Sequence, residues 1–385
     1  MISNRLISRL HRIDWDFAGA FSESPFSAIH WHPARLPSQV AASFIGLLTE
    51  PGDLVLDPFA GSGTTLVEAQ RLDRRSVGLD LNPVACLIGS AKTLSISSSR
   101  LSEIVAELRD QAGHVLRPSL TRTPTSCDPP PGVQQKWYSS RVLRDLATLW
   151  WEVRDLRGIR QKLAHASFSA ILLPVCKETR HWGYVCDNST PKTNHEGNVL
   201  AEYDKVLGRF ASAYADRDAD REVRNSKKIR PSRALIRCGD SLDLLDRIES
   251  QSVNLVLTSP PYFGVSDYVK AQRLSTEWFS LEIEPLRRRE IGARSKRHRL
   301  TALSEYIAQL ESVFSKTLKV IKPSGACVIV IGESAARQGT INEVSASLTR
   351  MGYKIIMNIT RNVSTQRRQY NSIGTEAVIV ATPNR

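Results

Sequence analysis

The sequence lacks the features that would assign it to a membrane, disulfide-stabilised or zinc-binding class. It contains no stretch of about 18 consecutive apolar residues, so no membrane-spanning helix is predicted. The six cysteines are scattered, and none belongs to a Cys-X-X-Cys pair, which argues against a structural zinc site and a disulfide framework. We therefore expect no bound metal, no membrane association and a reduced, cytoplasmic compartment.

Acidic residues are the less frequent of the charged residues. There are 52 Lys+Arg against 39 Asp+Glu, which gives a formal net charge of +13 over 385 residues. An excess of this sign favours a polyanionic partner, with nucleic acid ahead of an acidic membrane surface. The hydrophobic fraction of 41% suits a packed core, and the length predicts one large domain with an insertion, or two domains.

Strand and helix patterns divide the chain into three blocks. Residues 1–96 end in a β-α-β unit whose two strands, at 53–57 and 76–80, are each closed by an aspartate. Residues 97–232 show mainly helical periodicity and include a densely charged segment, 216–228, that we interpret as a solvated helix or a linker. Residues 233–385 return to strand–helix alternation. The pattern predicts an α/β fold with a parallel sheet, which a mostly helical insertion interrupts between the second and third strands.

The segment DPFAGSGT at 57–64 directly follows the first strand. Its glycines let backbone N–H groups approach a ligand that a Cβ atom would exclude. Asp80 closes the next strand at about the 20-residue spacing at which an acid binds ribose hydroxyls. Because acids flank the glycines, the pattern favours a cationic nucleoside such as S-adenosylmethionine over a pyrophosphate, with Asp57 offsetting the sulfonium charge. A glycine-rich turn that binds nothing is the alternative interpretation.

The segment TSPPY at 258–262 follows a second apolar strand. Two prolines stop sheet pairing and fix the backbone. The Ser259 hydroxyl oxygen and the Pro260 carbonyl are then candidates to accept hydrogen bonds from an exocyclic amine, and Tyr262 offers a ring face on which a base can stack. A rigid turn at a strand end is the alternative. Asp240, after the third strand, is a candidate acceptor for an adenine amino group.

A basic segment lies downstream of the second motif. Seven residues between 286 and 299 are Lys or Arg, which favours phosphate contact over a merely solvated loop. Residues 180–184 of the insertion combine stacking and donor groups, which suits either base contact or packing. Tyr268, Arg273 and Trp278 suit either a base pocket or the core. The predicted DNA-contacting residues are Arg273, Arg287, Arg288, Arg289, Arg294, Lys296, Arg297 and Arg299.

DPFAGSGT together with TSPPY resembles the amino-methylating DNA methyltransferases, which modify cytosine N4 or adenine N6. The resemblance covers about residues 28–93 and 233–285, and it implies a Rossmann-like S-adenosylmethionine-dependent methyltransferase sheet with S-adenosylmethionine as cofactor. The implied cofactor-binding residues are His32, Pro33, Asp57, Pro58, Phe59, Gly61, Ser62, Gly63, Thr64, Asp80, Leu81, Asn82, Asp240 and Ser241. The implied catalytic residues are Ser259, Pro260, Pro261 and Tyr262.

The same resemblance implies a function and its alternatives. Serine at position 259 favours cytosine N4 of a flipped base, and adenine N6 is the alternative. An RNA methyltransferase of the same fold and a non-catalytic nucleic-acid-binding protein are further alternatives. C5-cytosine chemistry is disfavoured, because the cysteine nucleophile that it needs stands after proline, and no Pro-Cys occurs here.

The resemblance also predicts partners and organisation. The expected partner is double-stranded DNA in the nucleoid of a prokaryotic cytoplasm. A cognate restriction endonuclease as a further partner, and a monomer or a homodimer as the oligomeric state, are left open. Many SPPY enzymes are circularly permuted, whereas here the cofactor motif comes first and the chain ends on the closing strand. We therefore expect no C-terminal recognition domain, and the insertion is the candidate target-recognition region.

Overall fold

A computed structural model describes residues 3–17, 24–33, 36–116, 128–178, 185, 190–224, 232–333, 338–363 and 373–384. The predicted base-contacting segment 180–184 lies outside these ranges. Within them, no helix is both long and apolar enough to cross a membrane. The same residues contain no cluster of three or more His, Cys, Asp or Glu side chains arranged to hold a metal ion.

Seven strands form one sheet in the described part of the chain. They are β1 (Leu54–Asp57), β2 (Arg75–Asp80), β3 (Ala234–Cys238), β4 (Val253–Thr258), β5 (Ile321–Gly332), β6 (Tyr353–Asn362) and β7 (Thr375–Pro383). Their order is β3-β2-β1-β4-β5-β7-β6, in which neighbours from β3 to β5 are parallel and β7 is antiparallel to both of its neighbours. This sheet, with helices between its parallel strands, confirms the predicted Rossmann-like methyltransferase fold class.

Helices connect these strands and cover the sheet. They are α1 (Asn4–His11), α2 (Ser38–Leu48), α3 (Thr64–Arg71), α4 (Pro83–Lys92), α5 (Ser98–Leu116), α6 (Ser140–Val153), α7 (Gly158–Ile171), α8 (Val199–Val223), α9 (Ser241–Leu245), α10 (Tyr268–Ala271), α11 (Arg273–Trp278), α12 (Ile283–Arg289), α13 (Ala302–Val320) and α14 (Thr340–Arg350). Helices α5 to α8 lie between β2 and β3 in the chain, where the sequence predicts a helical insertion.

Both faces of the central strands are buried, which explains why these strands appear as continuous apolar runs. Val55 of β1 and Leu255 of β4 pack on the face that contacts Phe44 of α2. Leu56 and Val256, the next residues along, pack on the opposite face with α13 and α14. Each such side chain contributes about 1.5–3 kcal/mol when it is fully buried. The apolar runs therefore fix β1 and β4 at the centre of the molecule.

The helices of the insertion share one apolar cluster with helices that connect the strands of the sheet. The cluster joins Trp137 and Tyr203 of the insertion to Ala91 of α4 and Trp278 of α11. Trp278 thus belongs to the core, which was one of the two interpretations that the sequence left open. That residues 97–232 form a separate unit stays a prediction.

The charged segment 216–228 is a helix with an exposed face where the structure describes it, as predicted, but two of its arginines are not solvated. Helix α8 continues to Val223, and Arg217 and Arg221 within it are buried. Arg217 donates to the carbonyl oxygens of Leu94 and Ile96, at 3.0 and 2.5 Å. Arg221 pairs with Asp73 at 3.1 Å. Arg217 thus holds α8 against the segment that follows α4, and Arg221 holds it against the turn between α3 and β2.

Candidate active site

A cavity opens at the carboxyl ends of β1 and β4. The strand order reverses there, which is where open α/β sheets bind ligands. The cavity brings the two predicted motifs together. Of the predicted cofactor-binding residues, those lining it are His32, Pro33, Asp57, Phe59, Gly61, Ser62, Thr64, Asp80, Leu81, Asn82, Asp240 and Ser241. Of the predicted catalytic residues, those lining it are Ser259, Pro260 and Pro261.

The other two predicted cofactor-binding residues, Pro58 and Gly63, are not among the cavity-lining residues. The Pro58 carbonyl accepts a hydrogen bond from the Ser241 hydroxyl at 2.6 Å, which ties β3 to the cofactor motif. Gly63 precedes α3 with φ of 84°, and a Cβ there would lie 3.1 Å from the Cα of Gly89. A side chain at 63 would therefore strain the backbone and crowd α4.

Asp57 is a buried carboxylate with three hydrogen bonds. Oδ1 accepts from the Phe59 backbone N–H at 3.0 Å and from the Thr258 hydroxyl at 2.6 Å. Oδ2 accepts from the Thr65 hydroxyl at 2.7 Å. Burial raises the pKa of Asp57 to about 6, the three hydrogen bonds oppose that rise, and Asp80 adds to it. A cation in the cavity would relieve the cost of keeping this carboxylate ionised.

Asp80 closes β2 and organises the same turn. Its Oδ2 accepts from the Gly61 N–H at 2.7 Å, and its Oδ1 accepts from the Asn82 N–H at 2.8 Å. Burial raises the pKa of Asp80 to about 6 despite these bonds. The His32 ring lies over Gly61, since a Cβ built there would be 3.2 Å from its Cε1. His32 therefore lines one side of the cavity, next to Gly61.

The cavity contains buried polar atoms that no protein group satisfies among the described residues. They are the Ser62 hydroxyl and the Asn82 side-chain nitrogen. Native proteins rarely leave buried polar atoms without a partner, so these atoms indicate a polar ligand. The carboxylates of Asp57 and Asp80, together with the unsatisfied groups of Ser62 and Asn82, suit the ribose, amino and sulfonium groups of S-adenosylmethionine. The residues present therefore fit the cofactor that the sequence predicts.

Asp240 lies at the far end of the cavity and is already engaged. Its Oδ1 caps α9 by accepting from the Leu242 N–H at 3.0 Å, and its Oδ2 pairs with Arg289 at 3.0 Å. Arg289 also pairs with Asp243 at 3.1 Å and lines the cavity. Arg289, predicted from sequence to contact DNA, thus lies at the cofactor end of the site.

Tyr262 does not present the stacking face that the sequence predicts. Its side chain is 4% exposed and is absent from the cavity lining. Its hydroxyl donates to Glu376 Oε1 at 2.9 Å and accepts from the Ser259 hydroxyl at 3.2 Å. Arg361 in turn pairs with Glu376. Tyr262 therefore anchors the motif, and Tyr268 supplies an aromatic side chain to the cavity.

Tyr268 and Glu290 both line the cavity. The sequence left the role of Tyr268 undecided between base pocket and core, and it predicted no role for Glu290. Tyr268 accepts at its hydroxyl from the Tyr262 N–H, at 3.2 Å, and Glu290 accepts at Oε1 from the Tyr268 and Val269 N–H groups. Glu290 stands alone among arginines in the sequence, so the basic run concealed it. A lone acid within a predicted phosphate-binding segment was the signal available.

The predicted DNA-contacting residues fall into different environments. Arg273 is largely buried. Its side chain is 14% exposed, and it pairs with Glu277 at 2.5 Å. Lys296 donates to the carbonyl oxygens of Arg288 and Glu290, so it holds the basic segment together. The remaining arginines lie at or near the surface and comprise Arg287, which pairs with Glu284, and Arg288, Arg294, Arg297 and Arg299.

Comparison with known proteins finds similarity to DNA methyltransferases. A family model described as DNA methylase matches residues 14–90. The Type II methyltransferase M.MvaI of Kocuria varians is 25% identical over 270 residues, which cover 66% of this chain and 58% of that protein. The Type II methyltransferase M.MjaII of Methanocaldococcus jannaschii is 31% identical over 102 residues, 25% of this chain and 19% of that protein.

Among solved structures, the rRNA methyltransferase aviRa of Streptomyces viridochromogenes aligns over 93% of this chain and 92% of its own, with a TM-score of 0.41 and 10% identity. That similarity is too low to support an argument, and the fold rests on the sheet described above. The chain spans less than two thirds of the length of the curated relatives named here. The family match and these relatives confirm the resemblance predicted by the motifs: the chain is related to the amino-methylating DNA methyltransferases.

Proposed function

We propose that this protein transfers a methyl group from S-adenosylmethionine to an exocyclic amino group of a flipped base in double-stranded DNA, with cytosine N4 as the favoured target. One observation carries the proposal. The Thr258 hydroxyl donates to Asp57 Oδ1 at 2.6 Å, which joins the residue before Ser259 to the acid of the cofactor motif. A methyl donor beside Asp57 and an amine beside Ser259 would then occupy one cavity.

The hydrogen bonds around Ser259 orient its hydroxyl for accepting. Ser259 donates its proton to Tyr262, whose own proton goes to Glu376. The lone pairs of the Ser259 oxygen stay available for an amino N–H of the base. Accepting that hydrogen bond localises the nitrogen lone pair. Bound S-adenosylmethionine supplies a methyl group already activated by its sulfonium.

The two proline carbonyls differ in availability. The Pro261 carbonyl accepts from the Tyr306 hydroxyl at 2.9 Å, which fixes the turn from behind. The Pro260 carbonyl has no hydrogen bond from any residue in the described ranges, and Pro260 lines the cavity. Ser259 and Pro260 thus offer a pair of acceptors, which matches the two hydrogens of an exocyclic amine.

Cytosine N4 is the finer part of the proposal and adenine N6 is its alternative. Ser259 at the first motif position favours cytosine through the family resemblance, while both bases present the same amino geometry to this pair of acceptors. The basic segment 286–299 beside the cavity supports a polyanionic substrate. We also propose the insertion, 97–232, as the target-recognition region.

The test is expression in a bacterium that lacks its own DNA methyltransferases, followed by mass spectrometry of DNA and RNA nucleosides. We expect N4-methylcytosine in DNA, and sequencing with modification calling should place it within one motif. N6-methyladenine would retain the enzyme class and replace the base. Methylated nucleosides found only in RNA would overturn the assignment of DNA as substrate. An unchanged yield of methylated base from Ser259→Ala would overturn the assignment of the catalytic site.

A further inference from the structure

Glu290 is a buried carboxylate in the same cavity as Ser259 and Pro260. Its side chain is 5% exposed, and it lines the cavity. Two contacts hold its segment beside the catalytic motif. The Gly264 N–H donates to the Gly292 carbonyl at 2.9 Å, and Glu290 Oε1 receives the N–H of Tyr268, whose hydroxyl receives the N–H of Tyr262. Glu290 and the catalytic motif therefore form one connected unit.

The four acids that line the cavity differ in what their oxygens already bind. Both carboxylate oxygens of Asp57, Asp80 and Asp240 take part in hydrogen bonds or ion pairs within the protein. Glu290 uses Oε1 for the N–H groups of Tyr268 and Val269, while Oε2 has no hydrogen bond from the residues that the structure describes. Glu290 is therefore the cavity acid with an uncommitted oxygen.

The charges around Glu290 suit an acid that exchanges protons near neutral pH. Burial raises the pKa of Glu290 to about 7, and Asp267 adds to the rise. The two backbone N–H groups and the Lys296 ammonium oppose it. The Lys296 ammonium is directed to the main chain, since it donates to the Glu290 carbonyl at 2.7 Å. A general base works best when its pKa lies near the working pH.

We propose that Glu290 is a further catalytic residue, whose Oε2 accepts the proton that the target amine must lose. This inference rests on the proposed function. The amine nitrogen forms its bond to the methyl carbon as the carbon–sulfur bond breaks, and that bonding pair stays on sulfur. The nitrogen then carries a surplus proton and a positive charge. Glu290 Oε2 takes the proton, which restores a neutral amine, and the carboxylic acid later releases the proton to solvent.

Ser259 cannot keep this proton, since its hydroxyl oxygen would become a strongly acidic oxonium. It could pass a proton on through Tyr262 to Glu376, but that carboxylate is already committed to its ion pair with Arg361. The acceptors of the motif orient the amine, and Glu290 completes the proton balance. The division explains why an acid stands within a segment that is otherwise basic and why it points to the same cavity as Ser259.

The experiment compares Glu290→Gln with the wild type and with Glu282→Gln. Glu282 is an exposed glutamate at the start of α12 without a side-chain cap bond, so it is a matched control. Cofactor binding is measured by calorimetry, and single-turnover methyl transfer to unmethylated bacterial DNA is measured from pH 5.5 to 8.5. We expect Glu290→Gln to bind the cofactor within about threefold of wild type and to lose about 100-fold or more in rate. The wild-type rate should rise with pH through about 7, and that rise should vanish in the variant.

A second readout needs no turnover. Infrared difference spectra between pH 6 and pH 8 should contain a protonated-carboxyl component in the wild type and in Glu282→Gln that Glu290→Gln loses, while the contribution of Asp57 and Asp80 remains in all three proteins. Absence of that difference would overturn the inference, as would a variant rate within threefold of wild type. Joint loss of cofactor binding and rate would show a structural cap for α10 and would also overturn it. A wild type that methylates no DNA would overturn the proposed function and this inference with it, whereas a wild type that methylates DNA and a Glu290→Gln variant that keeps its rate would overturn this inference alone.

Discussion

At the scale of single residues, the site depends on acids kept in an apolar setting. Asp57 and Asp80 are held by backbone and hydroxyl donors, yet burial raises the pKa of each to about 6. The protein alone therefore does not fully offset the cost of ionising them. A cationic ligand would do so, and this couples ligand binding to proton release.

The coupling predicts a pH dependence of cofactor binding. A cation prefers the ionised acids, so below pH 6 binding must first expel protons from Asp57 and Asp80. We expect affinity for S-adenosylmethionine to be nearly constant above about pH 7 and to fall on acidification through 6, by up to tenfold per pH unit for each proton released. Calorimetry in two buffers of different ionisation enthalpy measures both the affinity and the protons. Equal affinity at pH 7.5 and 5.5 would contradict this account.

The residue scale also shows where sequence reasoning succeeds and fails. The acids and glycines of the cofactor motif were predictable, because strand ends and turn geometry restrict which residues can stand there. The positions of the Tyr262 and Glu290 side chains could not be predicted from the sequence. Each depends on a partner distant in the chain, Glu376 for Tyr262 and the N–H groups at 268 and 269 for Glu290.

At the scale of elements, the β-α-β unit around β1 and β2 follows directly from local sequence. The later strand β5 does not. Pro323 and Gly325 predict a turn, with the strand starting after it at Ala326. The strand instead begins at Ile321, five residues earlier, and its pairing with β4 changes register between Ile321 and Ala326. The predicted turn at 323–325 is thus an irregularity inside a strand. Proline and glycine signal a break in pairing, but whether the strand resumes depends on the neighbouring strand.

Helix α8 also depends on contacts that the local sequence does not show. Its dense charge suggested solvent exposure, because Lys, Arg, Asp and Glu rarely lie buried without partners. The partners exist here, but on other elements: the carbonyl oxygens at 94 and 96 for Arg217, and Asp73 for Arg221. A charged helix can therefore serve as the contact between the insertion and the sheet.

This docking predicts a stability effect at Arg217. Arg217→Met keeps an unbranched apolar stem but removes the guanidinium that donates to the carbonyl oxygens of Leu94 and Ile96 and pairs with Asp218. We expect the free energy of unfolding to fall by about 1–3 kcal/mol, since each lost partner of a buried polar group is costly. Urea denaturation followed by circular dichroism measures the change. Arg224→Ala, at the exposed end of the same helix, should change stability by less than about 0.5 kcal/mol. Equal effects of the two variants would argue against docking through Arg217.

At the scale of the whole molecule, the acidic and basic residues behind the net charge of +13 lie in different regions. Acids line the cavity at the carboxyl ends of β1, β2 and β3, where a cationic cofactor is proposed. Next to that cavity, Arg288, Arg294 and Arg299 are exposed, and the nearest acid recorded for Arg299 is 3.9 Å away. Arg289 lies between the two regions, bound to Asp240 and Asp243. A single molecule thus presents opposite charges to its two proposed ligands.

This distribution predicts how DNA binding responds to salt. Each arginine that neutralises a phosphate contributes about 0.9 to the slope of the logarithm of affinity against the logarithm of salt concentration. Replacing Arg288, Arg294 and Arg299 by alanine should therefore reduce that slope by up to about 3 and weaken binding to all DNA sequences alike. Fluorescence anisotropy with labelled duplexes between 50 and 200 mM salt measures the slope.

The matched control removes the same number of charges from the opposite edge of the sheet. Arg75, Lys319 and Lys354 are exposed at or beside the amino ends of β2, β5 and β6, so their replacement by alanine should leave the slope nearly unchanged. Arg289→Ala should also leave the slope unchanged while weakening cofactor binding, because Arg289 pairs with acids at the cavity. If the control triple variant lowered the slope as much as the first, binding would follow total charge alone. A DNA-binding surface placed beside the cavity, as proposed, requires the two triple variants to differ.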